Sequence, residues 1–172
     1  MPGVNFGMNF AFLFEKGALM NTFTNIFATF GANIGIDGLC FDENGECALQ
    51  FDDVIVNLEF HEDVPYLYAY SQICPLPDSD ANRLELYSFL LELNSLFKGT
   101  DGGILGIEPA LGLVTYASRI ELNSLDETAL DARIGRHVNA VESLRSSVND
   151  LRQHTAAPSD KDASWTDKML RI

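Results

Sequence analysis

The segment from Leu39 to Pro77 has the residue pattern of consecutive antiparallel β-strands. Apolar and polar side chains alternate between Val54 and Phe60, as in a strand that buries one face and exposes the other. Tyr66–Cys74 alternates in the same way, and the prolines at 75 and 77 then remove backbone donors that a longer ladder would need. The rest of the chain must therefore fit around a sheet of neighbouring strands.

The strongest turn signal in this segment is Asn44-Gly45. Both residue types tolerate the positive φ angles of a type I′ turn, which joins the two strands of a tight hairpin. The pair predicts that Leu39–Glu43 forms a strand and that this strand pairs with one that begins at Glu46.

A helix is predicted before the strands, from Asn21 to Ile34. Asn25, Thr29 and Asn33 lie on one side of it, and Gly35 suits the left-handed position that ends many helices. The apolar residues recur at helical intervals on the other side: Phe23, Ile26, Phe27, Phe30 and Ile34. The segment therefore predicts an amphipathic helix with an aromatic face.

A second helix, predicted over Asn82–Phe97, is apolar on most of its circumference. Its polar residues Glu85, Ser88, Glu92 and Ser95 form one narrow stripe. At 100° per residue the apolar arc is roughly 240°, against about 100° for a helix packed on one side. One sheet does not cover that arc. We therefore expect either a dimer interface here or burial between the sheet and the other helices of the same chain.

Two more strands and a last helix complete the pattern. Ile104–Ile107 and Leu111–Ser118 have strand character, and Ser124 and Glu127 form a capping box before a helix that runs to about Arg152. The predicted fold class is α+β. It is a twisted antiparallel sheet flanked by three helices, in the order α-βββ-α-ββ-α.

The composition changes at both ends of the chain. Residues 1–19 are rich in Gly, Phe and Met, so we expect an N-terminal extension and hypothesise that Met20 is the natural start. Residues 20–153 are expected to form one domain, and residues 154–172 a flexible tail. Three apolar residues of this tail nevertheless have the spacing of a short docking helix: Trp165, Met169 and Ile172.

The chain is strongly acidic. It has 25 acids, 11 bases, a net charge of −14 and no basic cluster, so we exclude nucleic-acid binding. Its apolar runs are shorter than the ~20 residues that span a bilayer, and none has the form of a cleavable signal. Its cysteines lack CxxC spacing and indicate free thiols in a reducing compartment: Cys40, Cys47 and Cys74. We therefore expect a cytoplasmic protein without a membrane partner.

The sequence contains no common catalytic or cofactor motif. Neither a phosphate loop, a dinucleotide fingerprint, a nucleophile elbow nor an HExxH pattern occurs. His61, His137 and His154 are dispersed, which is typical of surface or packing residues. The acidic turn Asp42–Glu46 lacks the glycine and glutamate positions of a calcium loop. We expect no catalytic residue, no metal and no cofactor, and hence a protein that is not an enzyme.

The ordered pattern resembles class I type III secretion chaperones of the CesT/Tir-chaperone family. Four segments carry the resemblance: GIDGLCFDENGECALQFDD, VNLEFHEDVPYLYAYSQICPLP, LELYSFLLELNSLF and GGILGIEPALGLVTYASRIEL. The resemblance implies a homodimer of α/β protomers in the bacterial cytosol. Such a dimer keeps the N-terminal chaperone-binding segment of an effector extended, without nucleotide hydrolysis, until delivery to the secretion ATPase.

The resemblance also implies two binding surfaces. The effector would contact the first helix and the start of the strand block through Phe23, Ile26, Phe27, Phe30, Leu39 and Phe41. The dimer contact would lie on the second helix and a nearby strand, at Leu86, Phe89, Leu90, Leu93, Phe97 and Leu113. An alternative function for the same fold is a regulatory adaptor that binds a transcription factor or a protein of the secretion apparatus.

Overall fold

The computed structural model describes residues 21–61, 64–123 and 125–156. Within these ranges three α-helices and five β-strands follow one another in the predicted order, α-βββ-α-ββ-α, so the fold class is confirmed. The elements are α1 (21–33), β1 (Glu46–Phe51), β2 (Val54–Phe60), β3 (Tyr66–Pro75), α2 (Asp80–Asn94), β4 (Ile104–Glu108), β5 (Leu113–Glu121) and α3 (Glu127–Ala156).

The described strands form one antiparallel sheet in the order β1-β2-β3-β5-β4. The central strand is β3, in which Ala69 lies opposite Leu58 of β2 and Tyr70 lies opposite Ala117 of β5. This order leaves β1 at one edge and β4 at the other. The outer side of β4 is partly occupied, because the Asn94 side chain bonds to both backbone groups of Leu105, whereas β1 leaves an edge that another strand can reach.

One face of the sheet is covered by α1 and α3. Phe60 of β2 contacts Phe23 of α1, and Ser71 of β3 bonds to His137 of α3, and both side chains point to this face. Burial of each large apolar side chain contributes about 1.5–3 kcal/mol, so this layer supplies most of the core energy. The helices contribute Phe23, Phe27, Phe30, Leu130, Ile134, Val141, Leu144 and Val148, all buried.

The predicted strand at Leu39–Glu43 is wrong. Residues 39–42 are irregular because the Asp42 carboxylate accepts hydrogen bonds from the backbone of Asn44 (2.8 Å) and Glu46 (2.9 Å), which closes a local turn. Gly45 does take a positive φ of 79°, but its carbonyl accepts from the Phe60 backbone N–H at 2.8 Å. The loop is thereby fixed to the end of β2, and the first hairpin lies between β1 and β2 instead.

The second helix is shorter at its C-terminus than the sequence predicts. The Asn94 side chain bonds to both backbone groups of Leu105 in β4, at 2.9 and 3.0 Å. The chain then makes a 3₁₀ turn at Ser95–Phe97, in which Leu96 and Phe97 have positive φ. The helix therefore ends at Asn94, and the two apolar residues that follow project away from its axis. At its start, the Ser79 side chain caps the helix by accepting from the Asn82 N–H.

The boundaries of the last elements also shift. β5 runs over Leu113–Glu121 rather than from Leu111, and α3 continues to Ala156. The predicted capping residue Ser124 lies outside the described residues. Asp126 caps α3, because its carboxylate accepts from the Ala129 N–H at 2.7 Å.

Candidate functional site

Four phenylalanine rings form a cluster between α1 and the sheet. Phe23 lies 5.1 Å from Phe60 and 5.8 Å from Phe41, measured between ring centroids, and Phe27 stacks on Phe41 at 4.2 Å. Aromatic pairs at these separations add about 0.5–1.5 kcal/mol beyond their buried area. The cluster therefore fixes the irregular 39–43 segment against the body of the fold, although that segment has no strand partner.

A cleft of about 530 Å³ opens on the outer side of this cluster. We call it the aromatic groove. It is lined by Thr24, Phe27, Leu39, Cys40, Phe41, Asp42, Glu43, Asn44, Gly45, Phe60 and His61. Backbone N–H groups of Glu46 and Asn44 lower the pKa of the Asp42 carboxyl below its ordinary value, so the rim keeps a negative charge. The groove combines an apolar floor with a polar, acidic rim.

The residues predicted to bind an effector fall into two groups. Phe23, Ile26, Phe27 and Phe30 are buried in the core of their own chain, whereas Leu39 and Phe41 are half-buried and line the groove. The sequence alone did not indicate Phe60 and His61 as groove residues. Phe60 was visible only as the last apolar residue of an alternating strand, and the loop that brings Gly45 beside it was predicted as a hairpin.

The edge strand β1 lies next to the aromatic groove. Its partner within the described chain is β2, and its exposed residues Glu46, Ala48 and Gln50 point away from the core. The turn that starts β1 also forms the groove rim, since Asp42 bonds to Glu46. Asp42 occupies both backbone groups of Glu46, since its own N–H also donates to the Glu46 carbonyl at 2.9 Å. An extended polypeptide can therefore meet the groove and, beyond Glu46, the outer edge of β1.

A second surface exposes large apolar side chains on α2, the following turn and the β4–β5 hairpin. We call it the apolar face. Leu91 is 71% exposed and Leu96 is 80% exposed, which is unusual for leucines in a helix and in the turn that follows it. The apolar face consists of Leu84, Leu91, Leu96, Phe97, Ile104, Ile107 and Leu111. Ile104 and Ile107 lie on opposite sides of β4. Exposed apolar side chains in this number mark a candidate interaction site.

The residues predicted for the dimer contact lie partly elsewhere. Leu86 and Leu90 are buried against their own chain, and Phe89, Leu93 and Leu113 are half-buried, so only Phe97 is clearly exposed. Leu86, Leu90 and Leu93 share one stripe of α2, which packs against the rest of the chain. The sequence indicated that one sheet does not cover the whole apolar arc of α2. It did not show which stripe faces out, because the turn that exposes Leu96 depends on Asn94 and β4.

His137 is the one strongly perturbed imidazole among the described residues. It is 2% exposed, with Nδ1 2.8 Å from the Ser118 hydroxyl and Nε2 3.0 Å from the Ser71 hydroxyl. Burial lowers its pKa from 6.5 to about 4. Ser71 donates its only hydroxyl proton to the Ile55 carbonyl at 2.6 Å, so it must accept from Nε2–H. Ser71 is therefore not activated for attack, and the trio joins α3 to the sheet as a neutral hydrogen-bond network.

None of the helices in the described part of the chain combines the length and the apolar composition needed to cross a bilayer. The fold joins a sheet with two helices on one face, an aromatic groove beside a free strand edge, and an exposed apolar face. Such an arrangement is typical of α+β proteins that bind other polypeptides.

Comparison with protein families confirms the predicted family. Residues 25–145 match the model of the Tir chaperone protein (CesT) family, and the chain belongs to that family. The comparison with curated protein sequences gives no match.

Several solved structures share the fold. A chain of the ExsC–ExsE complex superposes with a TM-score of 0.63 at 19% identity, over 73% of this chain and 92% of that one. A chain of the HopA1–SchA chaperone–effector complex gives 0.58 at 19% identity, over 73% and 94%. A chain of the ExoU–SpcU complex from the type III secretion system of Pseudomonas aeruginosa gives 0.55 at 18% identity, over 72% and 95%.

Proposed function

We propose that this protein is a type III secretion chaperone that holds the N-terminal chaperone-binding segment of an effector in extended form. Membership of the Tir chaperone family supports this proposal, as do the similar folds found in a chaperone–effector complex and in a type III secretion complex. The observation that carries it is the aromatic groove beside the free edge of β1.

An extended effector segment would use both features at once. Apolar anchors of the effector would enter the groove at Phe41, Leu39 and Phe60, and its backbone would pair with the outer side of β1. The acidic rim at Asp42 and Glu43 would favour anchors flanked by lysine or arginine. Chemistry on the effector is not needed, because holding the segment only requires that it stays extended and apart from other chains.

The finer proposal is a homodimer in the bacterial cytoplasm that passes the effector to the secretion ATPase. The dimer would form through the apolar face, where Leu84 and Leu91 of α2 and Leu96 and Phe97 of the following turn are exposed. Two copies of this face would cover each other and remove that apolar surface from water. The dimer would then present two aromatic grooves to one effector segment.

Co-expression tests the effector-binding function. The protein would be produced with N-terminal segments of large secreted proteins encoded next to its gene, and retention measured by affinity capture. Phe41→Ala removes a groove anchor and is expected to weaken retention about tenfold or more. Ile55→Ala is the matched control, since Ile55 is half exposed on the open face of the sheet and should leave retention unchanged.

Two results would contradict the proposal. One is failure of the wild-type protein to retain any such segment, and the other is equal loss of retention in both variants while their melting temperatures stay unchanged. Retention of a transcription factor or an apparatus protein, but of no effector segment, would favour the regulatory adaptor instead.

A further inference from the structure

A separate groove of about 360 Å³ lies where the start of α2 meets the end of α3. We call it the α2–α3 groove. Its apolar floor includes Leu76, Pro77, Leu86 and Leu151. Its polar rim is formed by Asp78, Asn82, Glu85 and Arg152. The aromatic groove and the apolar face use other residues, so the functions proposed for them do not explain it.

The connection between β3 and α2, which forms one side of the groove, is held by two arginines. Pro75 and Pro77 interrupt backbone donation after β3, and the Arg152 guanidinium bonds to the Pro75 carbonyl at 2.8 Å. Arg83 bonds to the Pro77 carbonyl at 2.6 Å. The β3–α2 connection is therefore tied down on both sides. Asp78 and Glu85 remain exposed at the rim, and neither forms an ion pair with another described residue.

We propose that residues 157–172 of this chain occupy the α2–α3 groove, with Trp165 in its apolar floor. The described part of α3 ends at Ala156, five residues after the groove residue Leu151. At about 1.5 Å per helical residue the tail starts roughly 8 Å along the axis from Leu151. Nine further residues span up to about 30 Å when extended, so Trp165 can turn back to the groove without strain.

The tail sequence complements the groove in apolar character and in charge. Trp165, Met169 and Ile172 recur at i, i+4 and i+7 and would form one apolar stripe on a helix. At 100° per residue Lys168 borders this stripe and Asp167 lies on the opposite side. The stripe therefore brings apolar groups to Leu76 and Leu86 and a cation to Asp78 and Glu85. Such a short helix is marginal alone in water, so it would form on docking.

The docked tail would act as a brace. It would connect the end of α3 to the first turns of α2, the helix that carries Leu84 and Leu91 of the apolar face. This inference does not rest on effector binding, and it holds or fails separately from the proposed function.

Trp165 is the only tryptophan of the chain and reports on the docking directly. In the full-length protein its emission should be blue-shifted, and acrylamide should quench it several-fold less than free tryptophan amide. The double variant Asp78→Lys with Glu85→Lys should release it, restoring a red-shifted emission and the free quenching constant. Asp131→Lys with Glu142→Lys makes the same charge change at exposed positions of α3 and should leave Trp165 shielded.

A tail variant keeps the test valid if the groove variant loses its fold. Met169→Asp removes the middle of the stripe and should release Trp165, whereas Thr166→Asp lies off the stripe and should not. A wild-type Trp165 as accessible as free tryptophan overturns the proposal. Shielding that survives Asp78→Lys with Glu85→Lys in a folded protein also overturns it, because the tail would then dock elsewhere. Shielding that disappears on dilution would place the tail on a second copy and overturn it as well.

Discussion

The aromatic groove and the apolar face both expose apolar side chains to solvent, but they are built in different ways. In the groove, Phe27 is buried, whereas Leu39 and Phe41 are half-buried. On the apolar face, Leu91 and Leu96 project into solvent with most of their surface uncovered. The groove residues already stabilise the fold through contacts with their own chain. The residues of the apolar face add almost nothing to that stability until another surface covers them.

This difference indicates two kinds of partner. A site whose aromatic floor is part of the core can stay open between visits, so it suits an effector segment that binds and leaves. A surface that leaves leucines and a phenylalanine uncovered promotes association and aggregation, so it suits a partner that is present throughout the life of the protein. We therefore relate the groove to the transient partner and the apolar face to the second copy of the chain.

The largest effect should come from exchanging neighbouring leucines of α2 for glutamate. Leu90 is 4% exposed, and a buried carboxylate without a partner costs roughly 4 kcal/mol or more, so Leu90→Glu should unfold the chain. Leu91 is on the outer stripe, so Leu91→Glu should keep the fold and convert the proposed dimer to a 19.0 kDa monomer. Circular dichroism with temperature and light scattering separate the two results.

Ile55→Glu serves as the control, because Ile55 is exposed on the open sheet face and should change neither fold nor mass. The comparison fails if Leu91→Glu remains a dimer, or if the wild-type protein is itself a monomer at micromolar concentration.

A second effect distinguishes the floor of the aromatic groove, formed by Phe27, from its wall, formed by Phe41. Phe27 is buried, so Phe27→Ala should lower the free energy of unfolding by about 3–5 kcal/mol. Phe41 is half-buried, and Phe41→Ala should cost about 1–2 kcal/mol while weakening effector retention. Urea unfolding measures the first quantity and affinity capture the second. Equal stability losses in both variants would mean that the wall belongs to the core.

The sequence predicted the fold well because periodicity reports which side of an element is covered. The alternation of β2 and the arc of α2 depend on burial, and burial selects residue type at each position. The Asn44-Gly45 signal failed as a hairpin because Asp42 competes for the same backbone donors with its own carboxylate. A turn propensity reports local preference, whereas the pairing of a strand depends on what lies beside it.

The surfaces were harder to predict than the fold. An apolar residue in a helix has the same appearance in the sequence whether it is buried, as Leu86 is, or exposed to solvent, as Leu84 is. The orientation of α2 is set by contacts distant in sequence, such as Asn94 with Leu105. Buried polar networks are equally hard to predict, because nothing in the sequence around His137 indicates its hydrogen bonds with Ser71 and Ser118.

The His137 network belongs to neither surface, and it should make the stability of both depend on pH in the same way. The folded-state pKa is about 4, against 6.5 for the ordinary imidazole, so the unfolded chain binds more protons between these values. Stability is therefore complete above about pH 6.5 and falls by about 3 kcal/mol as the pH drops to about 4. Urea unfolding across this range measures the loss.

Two histidine variants assign this effect. His137→Asn should flatten the pH dependence, and His61→Gln should leave it unchanged because His61 is exposed. If only the groove or only the apolar face lost binding at pH 5 in the wild-type protein, the network would be coupled to one surface rather than to the whole sheet.

The smallest effect concerns the glycine that joins the groove rim to β2. Gly45 and Gly102 both have positive φ, at 79° and 87°, but a Cβ at Gly45 would collide with the Phe60 carbonyl, whereas a Cβ at Gly102 would meet nothing. Gly45→Ala should therefore cost about 2–3 kcal/mol and disturb the groove. Gly102→Ala should cost only about 1 kcal/mol, from its left-handed backbone alone. Thermal unfolding ranks the two variants, and a Gly45→Ala protein with full effector retention would show that the groove does not depend on how this loop is fixed to β2.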